Sequence, residues 1–210
     1  MEQDIITHLR ETFNPTAIIL HGSRAVGRER LHSDWDICLL FNAESEIPKN
    51  GRLLWREQNI EYSCRQLPVT NIEVQFGIKL QFGRVLYETS DEASKLLQEA
   101  KDLYEKPLGW VELQKDHHEL WMLGRLNGMQ DTIDEPLVFE RYASDFYARI
   151  TNYWYLSLHD TNPKPIYLAL EEIADKDPEY FALLEEFVHG SREQKIKSAE
   201  GIYQRCFLDV

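Results

Sequence analysis

The chain has 210 residues and a formal net charge of −13, with 43% hydrophobic and 28% charged residues. This composition is that of a globular protein, and it excludes a disordered or low-complexity chain. The acidic balance argues against broad binding to nucleic acid or to an anionic membrane surface, because phosphate groups are repelled at long range. The first residues are acidic and lack an apolar core segment, so we expect no signal peptide and a cytoplasmic location.

The first half of the chain alternates helix and strand patterns. Apolar residues at helical spacing predict a helix over 2–13, which Pro15 ends. Runs of apolar and β-branched residues predict strands at 16–21, 34–41, 59–67 and 84–87. Further helices are predicted over 71–81 and 91–104.

From Val111 onward only amphipathic helical patterns are found. The predicted helices cover 112–130, 136–159, 165–175, 178–188 and 192–207. Asp177 before Pro178 predicts an N-cap with proline at the first helical position, and Ser191 with Gln194 predicts a capping box. We therefore expect an α+β protein, with a small mixed-sheet domain over 1–108 followed by an all-helical bundle domain over 109–210.

The negative charge is unevenly distributed between these halves. Residues 1–110 contain 13 basic and 17 acidic side chains, whereas residues 111–210 contain 10 and 19. If the second half forms a pocket wall, it should favour a cationic or polyhydroxylated partner over an anionic one. The alternative interpretation is a solvated helix surface.

One segment, residues 21–37, combines two features that suit phosphate chemistry. A buried strand is followed by Gly22 and Ser23, which open a short predicted helix, and Asp34 and Asp36 then begin the next strand. Glycine lets the backbone approach a phosphate closely, the start of a helix offers unpaired N–H groups, and the serine hydroxyl adds a donor. The segment therefore predicts a place for an anionic group beside a pair of carboxylates.

The carboxylate pair indicates a metal site. Asp34 and Asp36 are two residues apart on a strand and so point to the same face. Hard oxygen ligands of this kind suit Mg²⁺, which usually takes one or two carboxylates together with substrate phosphates. A third carboxylate is expected on an adjacent strand, where Glu61 is preferred and Glu73 is the competitor.

These residues resemble the nucleotidyltransferase fold of the DNA polymerase β superfamily. The resemblance lies in Leu20-His21-Gly22-Ser23, Asp34-Trp35-Asp36-Ile37 and Ile60-Glu61-Tyr62. It covers residues 14–90 and is strongest to the small bacterial branch, which contains antibiotic nucleotidyltransferases of the kanamycin type and the minimal enzymes of toxin–antitoxin pairs. Glu61 stands where the family more often has Asp.

The resemblance implies transfer of a nucleoside monophosphate, usually AMP from ATP, to a hydroxyl with release of pyrophosphate. Asp34, Asp36 and Glu61 would hold two Mg²⁺ ions, and Glu61 could also help to take the proton of the hydroxyl. Another nucleoside triphosphate could replace ATP as the co-substrate.

The same resemblance implies a set of nucleotide-binding residues. Gly22 and Ser23 would hold the β- and γ-phosphates. Arg24, Arg28 or Arg30, in the arginine-rich loop that follows, could neutralise the charge that develops there. His21 ends the strand and is interpreted as structural.

Two other groups of residues are interpreted as structural. Asp116-His117-His118-Glu119 looks like a metal cluster, but adjacent histidines on a helix point to different faces, so a polar helix face is preferred. The aromatic residues between Phe146 and Tyr155 are interpreted as bundle core, although they could contribute one wall for a base or sugar.

The acceptor is the open part of the prediction. The leading hypothesis is a small hydroxylated acceptor of the aminoglycoside type that is attracted to the acidic half. A general base would then come from Glu119, Glu135, Glu140 or Asp145. The alternatives are AMP transfer to a protein, as in toxin–antitoxin pairs, and an inactive nucleotide-binding module. No nucleic-acid or membrane partner is expected, and the sequence leaves the oligomeric state open.

Overall fold

The computed structural model describes residues 1–69, 77, 79–106 and 110–208, with no account of the side chains of 110–115. The chain divides into two compact units, Met1–Glu105 and Lys106–Val210. The predicted α+β class is confirmed, because a mixed sheet lies in the first unit and the second unit is helical. Within the described residues, no helix is long and apolar enough to cross a membrane.

The first unit is built around a five-stranded sheet with the strand order β3-β4-β2-β1-β5. Strands β2 and β4 are parallel, and the other neighbouring strands are antiparallel. Its elements are α1 (Glu2–Phe13), β1 (Ala17–His21), α2 (Gly22–Ala25), β2 (Trp35–Phe41), β3 (Gly51–Trp55), β4 (Gln58–Gln66), β5 (Arg84–Glu88) and α3 (Glu92–Glu105). The four predicted strands are present to within one residue at each end.

Strand β3 is the element that the sequence pattern does not predict. It joins β4 through Arg56 and Glu57, whose φ angles are 45° and 64°. Two central residues with positive φ suit a two-residue hairpin turn, which normally uses Asn or Gly. Arg-Glu gives no such sequence signal, so the hairpin is visible only in the structure. The predicted helix over 71–81 lies mostly outside the described residues.

The sheet of the first unit buries both of its faces. Ile37 and Leu39 of β2 pack in a cluster with apolar residues of α1. Cys38 and Leu40 point the other way and pack in a cluster with α3. This alternation is the two-residue period of a strand covered on both sides. Cys38 is a fully buried apolar residue, as its sequence neighbours predict.

The second unit is helical throughout its described residues. Its elements are α4 (Trp110–Asp131), α5 (Pro136–His159), α6 (Ile166–Lys176), α7 (Pro178–His189), α8 (Arg192–Tyr203) and a π-helix (Gln204–Leu208). The Asp177 side chain accepts a hydrogen bond from the N–H of Tyr180 at 3.0 Å. Ser191 and Gln194 form both bonds of a capping box. The predicted N-cap at Asp177 and the predicted capping box at Ser191 are therefore both present, and they satisfy N–H groups at the starts of α7 and α8.

Aromatic side chains form much of the core of the second unit. Phe146, Tyr153 and Trp154 are at most 2% exposed, and Tyr155 is also buried. Tyr147 instead lies at the surface, where its ring stacks on Phe187. The interpretation of this aromatic run as bundle core is confirmed for the four buried rings.

Candidate active site

A row of polar residues crosses four strands of the sheet. His21 of β1 lies opposite Asp36 of β2, Asp36 lies opposite Glu61 of β4, and Glu61 lies opposite Arg52 of β3. Directly opposed residues project from the same face of a sheet. The four side chains therefore share one face, and we call them the carboxylate row. Asp34 comes two residues before Asp36 and directly precedes β2.

The carboxylates of this site act on one another electrostatically. Burial, together with the negative charges of Asp34 and Glu61, raises the pKa of Asp36 to about 6, although the positive charges of Lys79 and Arg52 oppose the shift. Crowded carboxylates favour the protonated form because the ionised forms repel. The structure thus brings the three predicted carboxylates into one electrostatic group.

Gly22 lets the Gly-Ser pair and the Asp-x-Asp pair of the sequence lie in contact, because its α-carbon packs against the Asp36 carboxylate. Its φ is +71°, and a Cβ placed there would lie 2.1 Å from Oδ2 of Asp36. Glycine adopts this backbone conformation readily, and it alone leaves space for the carboxylate. Helix α2 is a single turn of four residues starting at Gly22, so it has little macrodipole. The anion binding that the sequence predicts there would depend on its N–H groups and stays a prediction.

Arg24 positions the first carboxylate. Its Nε donates to the carbonyl oxygen of Asp34 at 2.9 Å, and an NH₂ group donates to the carbonyl oxygen of Ser33 at 2.6 Å. The guanidinium also lies 4.7 Å from the ring centre of Trp35, which is itself buried. These contacts fix the backbone that leads into β2. In the structure Arg24 therefore positions Asp34, whereas the sequence suggested that Arg24 would contact a phosphate.

The remaining arginines of the loop have exposed side chains. The N–H of Arg28 donates to the carbonyl oxygen of Ser23 at 2.9 Å, and the N–H of Arg30 donates to the hydroxyl of Ser33 at 2.8 Å. Both bonds are made by the backbone and shape the loop between α2 and β2. Phosphate contacts from the Arg28 and Arg30 side chains stay a prediction.

His21 has the properties of a neutral, partly buried imidazole. Burial and the positive charge of Lys79 lower its pKa to about 4, against the opposing effect of Glu61 and Asp34. The ring is therefore uncharged at neutral pH. This agrees with the interpretation of His21 as a structural residue.

Glu61 is held by Arg52 from the neighbouring strand. The Arg52 Nε donates to Oε2 of Glu61 at 2.7 Å, and an NH₂ group donates to the same oxygen. The other carboxylate oxygen has no hydrogen-bond partner among the residues described. Glu73, the competing third carboxylate, lies outside the described residues.

The donor set fits a divalent cation held by two carboxylates. In the part of the chain that the structure describes, no three His, Cys, Asp or Glu side chains already converge at metal-ligand distance. Mg²⁺ does not require such a cage, because it usually keeps waters and binds one or two carboxylates plus substrate phosphates. Asp34 and Asp36 supply that pair, and their mutual repulsion is what a cation would relieve.

Two cavities meet at the row and contain residues that sequence reasoning missed. One has a volume of about 330 Å³ and is lined by Ser63, Arg65 and Lys79, and the other has about 350 Å³ and is lined by Asp34. Arg52 and Glu61 line both. Arg52 was missed because β3 was not predicted. Arg65 could have been found, since Glu61, Ser63 and Arg65 alternate along one strand.

The Asp116–Glu119 segment does not form a second site within the described residues. Asp116 and His117 are exposed, and Nδ1 of His118 lies 2.9 Å from the hydroxyl of Tyr153. Glu119 accepts a hydrogen bond from the hydroxyl of Tyr203 at 2.9 Å. The segment is a polar helix face whose inner members bond to core tyrosines, as the helical spacing predicts.

Comparison with known proteins identifies the class of the first unit. Residues 3–106 match the family model for the polymerase β nucleotidyltransferase domain. The chain is thus a member of this family through its first half, and its enzyme class is that of the nucleotidyltransferases. The comparison with curated proteins gives no match.

Solved structures agree with this fold. A nucleotidyltransferase-like protein from Exiguobacterium sibiricum 255-15 matches with 13% identity and a TM-score of 0.51, over 100% of this chain and 75% of that chain. At this identity the match supports the fold alone. A toxin–antitoxin structure with AMP-PNP matches over 57% of this chain and 94% of that chain, with 19% identity and a TM-score of 0.32, which is too low to support an argument.

The substitution Gly22→Ala tests the contact with Asp36. We expect it to lower the free energy of unfolding by about 2–4 kcal/mol, because a methyl group in contact with the carboxylate adds to the strain of a positive φ. Gly27→Ala is the matched control, since Gly27 has a φ of +68° and nothing within 4 Å of a Cβ. It should cost only about 1 kcal/mol. Equal losses in urea unfolding would contradict the contact.

The substitution Asp36→Asn tests the electrostatic strain. The pKa of Asp36 in the folded protein lies above its value in the unfolded chain. Between pH 4 and 6 the native state therefore binds more protons than the unfolded state, so the wild type loses stability as the pH rises through that window. Without divalent metal, we expect the Asn variant to be more stable than wild type by about 1–2 kcal/mol at pH 8 and equal to it near pH 4. A stability difference that does not change with pH, measured by chemical unfolding in EDTA, would contradict this assignment.

Proposed function

We propose that the protein transfers AMP from ATP to a hydroxyl group of a small acceptor and releases pyrophosphate. The observation that carries the proposal is the carboxylate row, in which Asp36 lies against Gly22 and in the electrostatic range of Asp34 and Glu61. A nucleotidyltransferase domain supports nucleotidyl transfer in general. The choice of ATP, of Mg²⁺ and of the acceptor is the part that we propose.

Each residue of the site has a distinct task in this proposal. Asp34 and Asp36 would hold Mg²⁺, with two ions expected, and Arg24 keeps Asp34 in place through its backbone. Gly22 lets a phosphate approach the backbone, and Ser23 offers a hydroxyl donor beside it. The chemistry that bound Mg²⁺ supplies is neutralisation of charge on the triphosphate and polarisation of its α-phosphorus.

Glu61 is suited to receive the proton of the attacking hydroxyl. Both hydrogen bonds from Arg52 go to its Oε2, so Oε1 can accept a hydrogen bond from the acceptor. In the transfer step, a bond forms between the acceptor oxygen and the α-phosphorus while the bond to the β-phosphate oxygen breaks. Pyrophosphate leaves with that electron pair, and the hydroxyl proton passes to Glu61.

The charge of the helical half gives limited guidance on the acceptor. Net acidity there favours a cationic, aminoglycoside-like molecule, but several carboxylates are already paired within that unit. Glu172 contacts Lys164 at 2.8 Å and Lys176 at 2.6 Å, and Asp177 contacts Arg205 at 2.9 Å. A small hydroxylated acceptor is therefore the proposal, and its cationic character stays a prediction.

The four helical carboxylates considered as general bases also stay predictions. Glu140 is paired with Lys195, Asp145 is paired with Arg125, and Glu119 accepts a hydrogen bond from Tyr203. Glu135 lies at the N-cap position of α5, where its side chain makes no capping bond. Protein AMP transfer and an inactive binding module remain less favoured alternatives, because no contact supports the first and the intact carboxylates argue against the second.

The test is a transfer assay with ATP labelled at the α-phosphate, Mg²⁺ and a panel of aminoglycosides, lincosamides and anionic hydroxy compounds. Label should pass from α-labelled ATP to an acceptor, but never from γ-labelled ATP. Asp36→Asn should lower the rate at least about 1,000-fold, because it removes a proposed metal ligand. Asp91→Asn, which alters an exposed carboxylate paired with Lys95, is the matched control and should leave the rate unchanged.

Transfer of the γ-label would show a kinase and overturn the proposal, as would full activity in Asp36→Asn. Label found only on a protein from the cell extract would favour the protein AMP-transferase alternative.

A further inference from the structure

One of the two cavities at the carboxylate row is rich in positive charge. The cavity of about 330 Å³ is lined by three cationic side chains, Arg52, Arg65 and Lys79, and by one carboxylate, that of Glu61. We call it the basic cavity. Three cations against one described carboxylate is unusual in a chain with a net charge of −13, and such a cavity concentrates anions.

The cations of the basic cavity differ in how far they are already engaged. Arg52 is bonded to Glu61, so these two charges largely cancel. Lys79 has no ion-pair partner among the residues described. Arg65 is already engaged, in part by a bond to the carbonyl oxygen of Cys64 at 3.2 Å. The described lining thus leaves the charge of Lys79 uncompensated, and the Arg65 guanidinium lines the same cavity.

Lys79 acts on the carboxylate row as well as on the cavity. Its charge lowers the pKa of both His21 and Asp36. The neutral His21 ring lines the same cavity and adds no charge of either sign. An anion bound beside Lys79 would therefore lie close to the reacting groups of the proposed site.

Neutral groups in the basic cavity add capacity for hydrogen bonding. The Ser63 hydroxyl lies 3.5 Å from the carbonyl oxygen of Ile37, a distance at the outer limit for a hydrogen bond. It can donate to a bound oxygen at little cost. A guanidinium, an ammonium and a hydroxyl together are the donors that recognise phosphate and carboxylate groups.

Strand directions separate this cavity from the proposed triphosphate site. Strand β1 runs toward the carboxylate row and ends there, so Gly22 and Ser23 follow on the far side of the row. Strand β4 runs in the direction opposite to β1, so Ser63 and Arg65 lie about 7 and 13 Å past Glu61 along the strand. The two anion-binding regions thus lie on opposite sides of the row.

We infer that the basic cavity binds an anionic group, a phosphate or a carboxylate, that belongs to the hydroxyl acceptor, with Lys79 and Arg65 as its ligands. The inference rests on the proposed function and names the acceptor class: a small anionic hydroxy compound. With its anion on Lys79 and Arg65, such an acceptor presents its hydroxyl to Oε1 of Glu61. The inference points away from the cationic acceptor that net charge alone favours.

Isothermal titration calorimetry on the full chain tests the inference. The probes are inorganic phosphate and malonate, each titrated with and without saturating Mg²⁺ and a non-hydrolysable ATP analogue that carries a methylene between the α- and β-phosphates. At least one probe should bind wild type together with the analogue, and the stronger of the two identifies the acceptor's anion as phosphate or carboxylate.

Matched variants assign that binding to the cavity. Lys79→Met should weaken binding of the probe about tenfold, because one charge-assisted contact is lost. Lys101→Met removes an exposed charge from α3 and should leave binding unchanged. Arg65→Gln, which removes the charge but keeps an amide N–H donor, should weaken it to a similar extent as Lys79→Met.

Three results would overturn the inference. The first is that neither probe binds while the ATP analogue does, which leaves the proposed function intact. The second is that the analogue displaces the probe and itself binds more weakly to Lys79→Met, which assigns the cavity to the triphosphate. The third is that the analogue fails to bind at all, which contradicts the proposed function and with it the assignment to an acceptor.

Discussion

The close approach of the Asp36 carboxylate to the α-carbon of Gly22 is the constraint on which the site depends. Any side chain at position 22 would lie where Oδ2 of Asp36 lies, so the end of β1 and the start of β2 can meet in this way only through glycine. That contact places the start of α2 beside a carboxylate. The opposed positions of Asp36 and Glu61 on parallel strands then extend the site across the sheet.

The site is built at a cost to the stability of the fold. Burial and two neighbouring negative charges raise the pKa of Asp36 to about 6, so the ionised form is under strain at neutral pH. A fold tolerates such strain where a ligand relieves it, and a cation between Asp34 and Asp36 does so. The two hydrophobic clusters that cover both faces of the sheet supply the rigidity that holds these groups together.

Local patterns in the sequence were enough to predict the elements that frame the site but not all of its residues. Runs of apolar and β-branched residues predicted β1, β2 and β4. The Gly-Ser and Asp-x-Asp pairs then pointed to the site, with Glu61 preferred on an adjacent strand. Strand β3 was not predicted, because its turn uses Arg56 and Glu57 at positive φ in place of the usual Asn or Gly. Arg52 lies on β3 and was therefore not recognised as a site residue. The basic cavity also depends on tertiary packing, which brings Arg65 of β4 and the helical Lys79 together from separate segments and cannot be derived from local spacing.

Binding of Mn²⁺ as a paramagnetic substitute for Mg²⁺ tests the central claim most directly. Electron paramagnetic resonance would count the Mn²⁺ bound to wild type and to Asp36→Asn in the presence of a non-hydrolysable ATP analogue. We expect nucleotide-dependent binding to wild type and affinity lowered at least about tenfold in the variant, since a carboxylate ligand is lost. Equal affinity of wild type and variant for Mn²⁺ would contradict the account of the carboxylate row as the metal–nucleotide site.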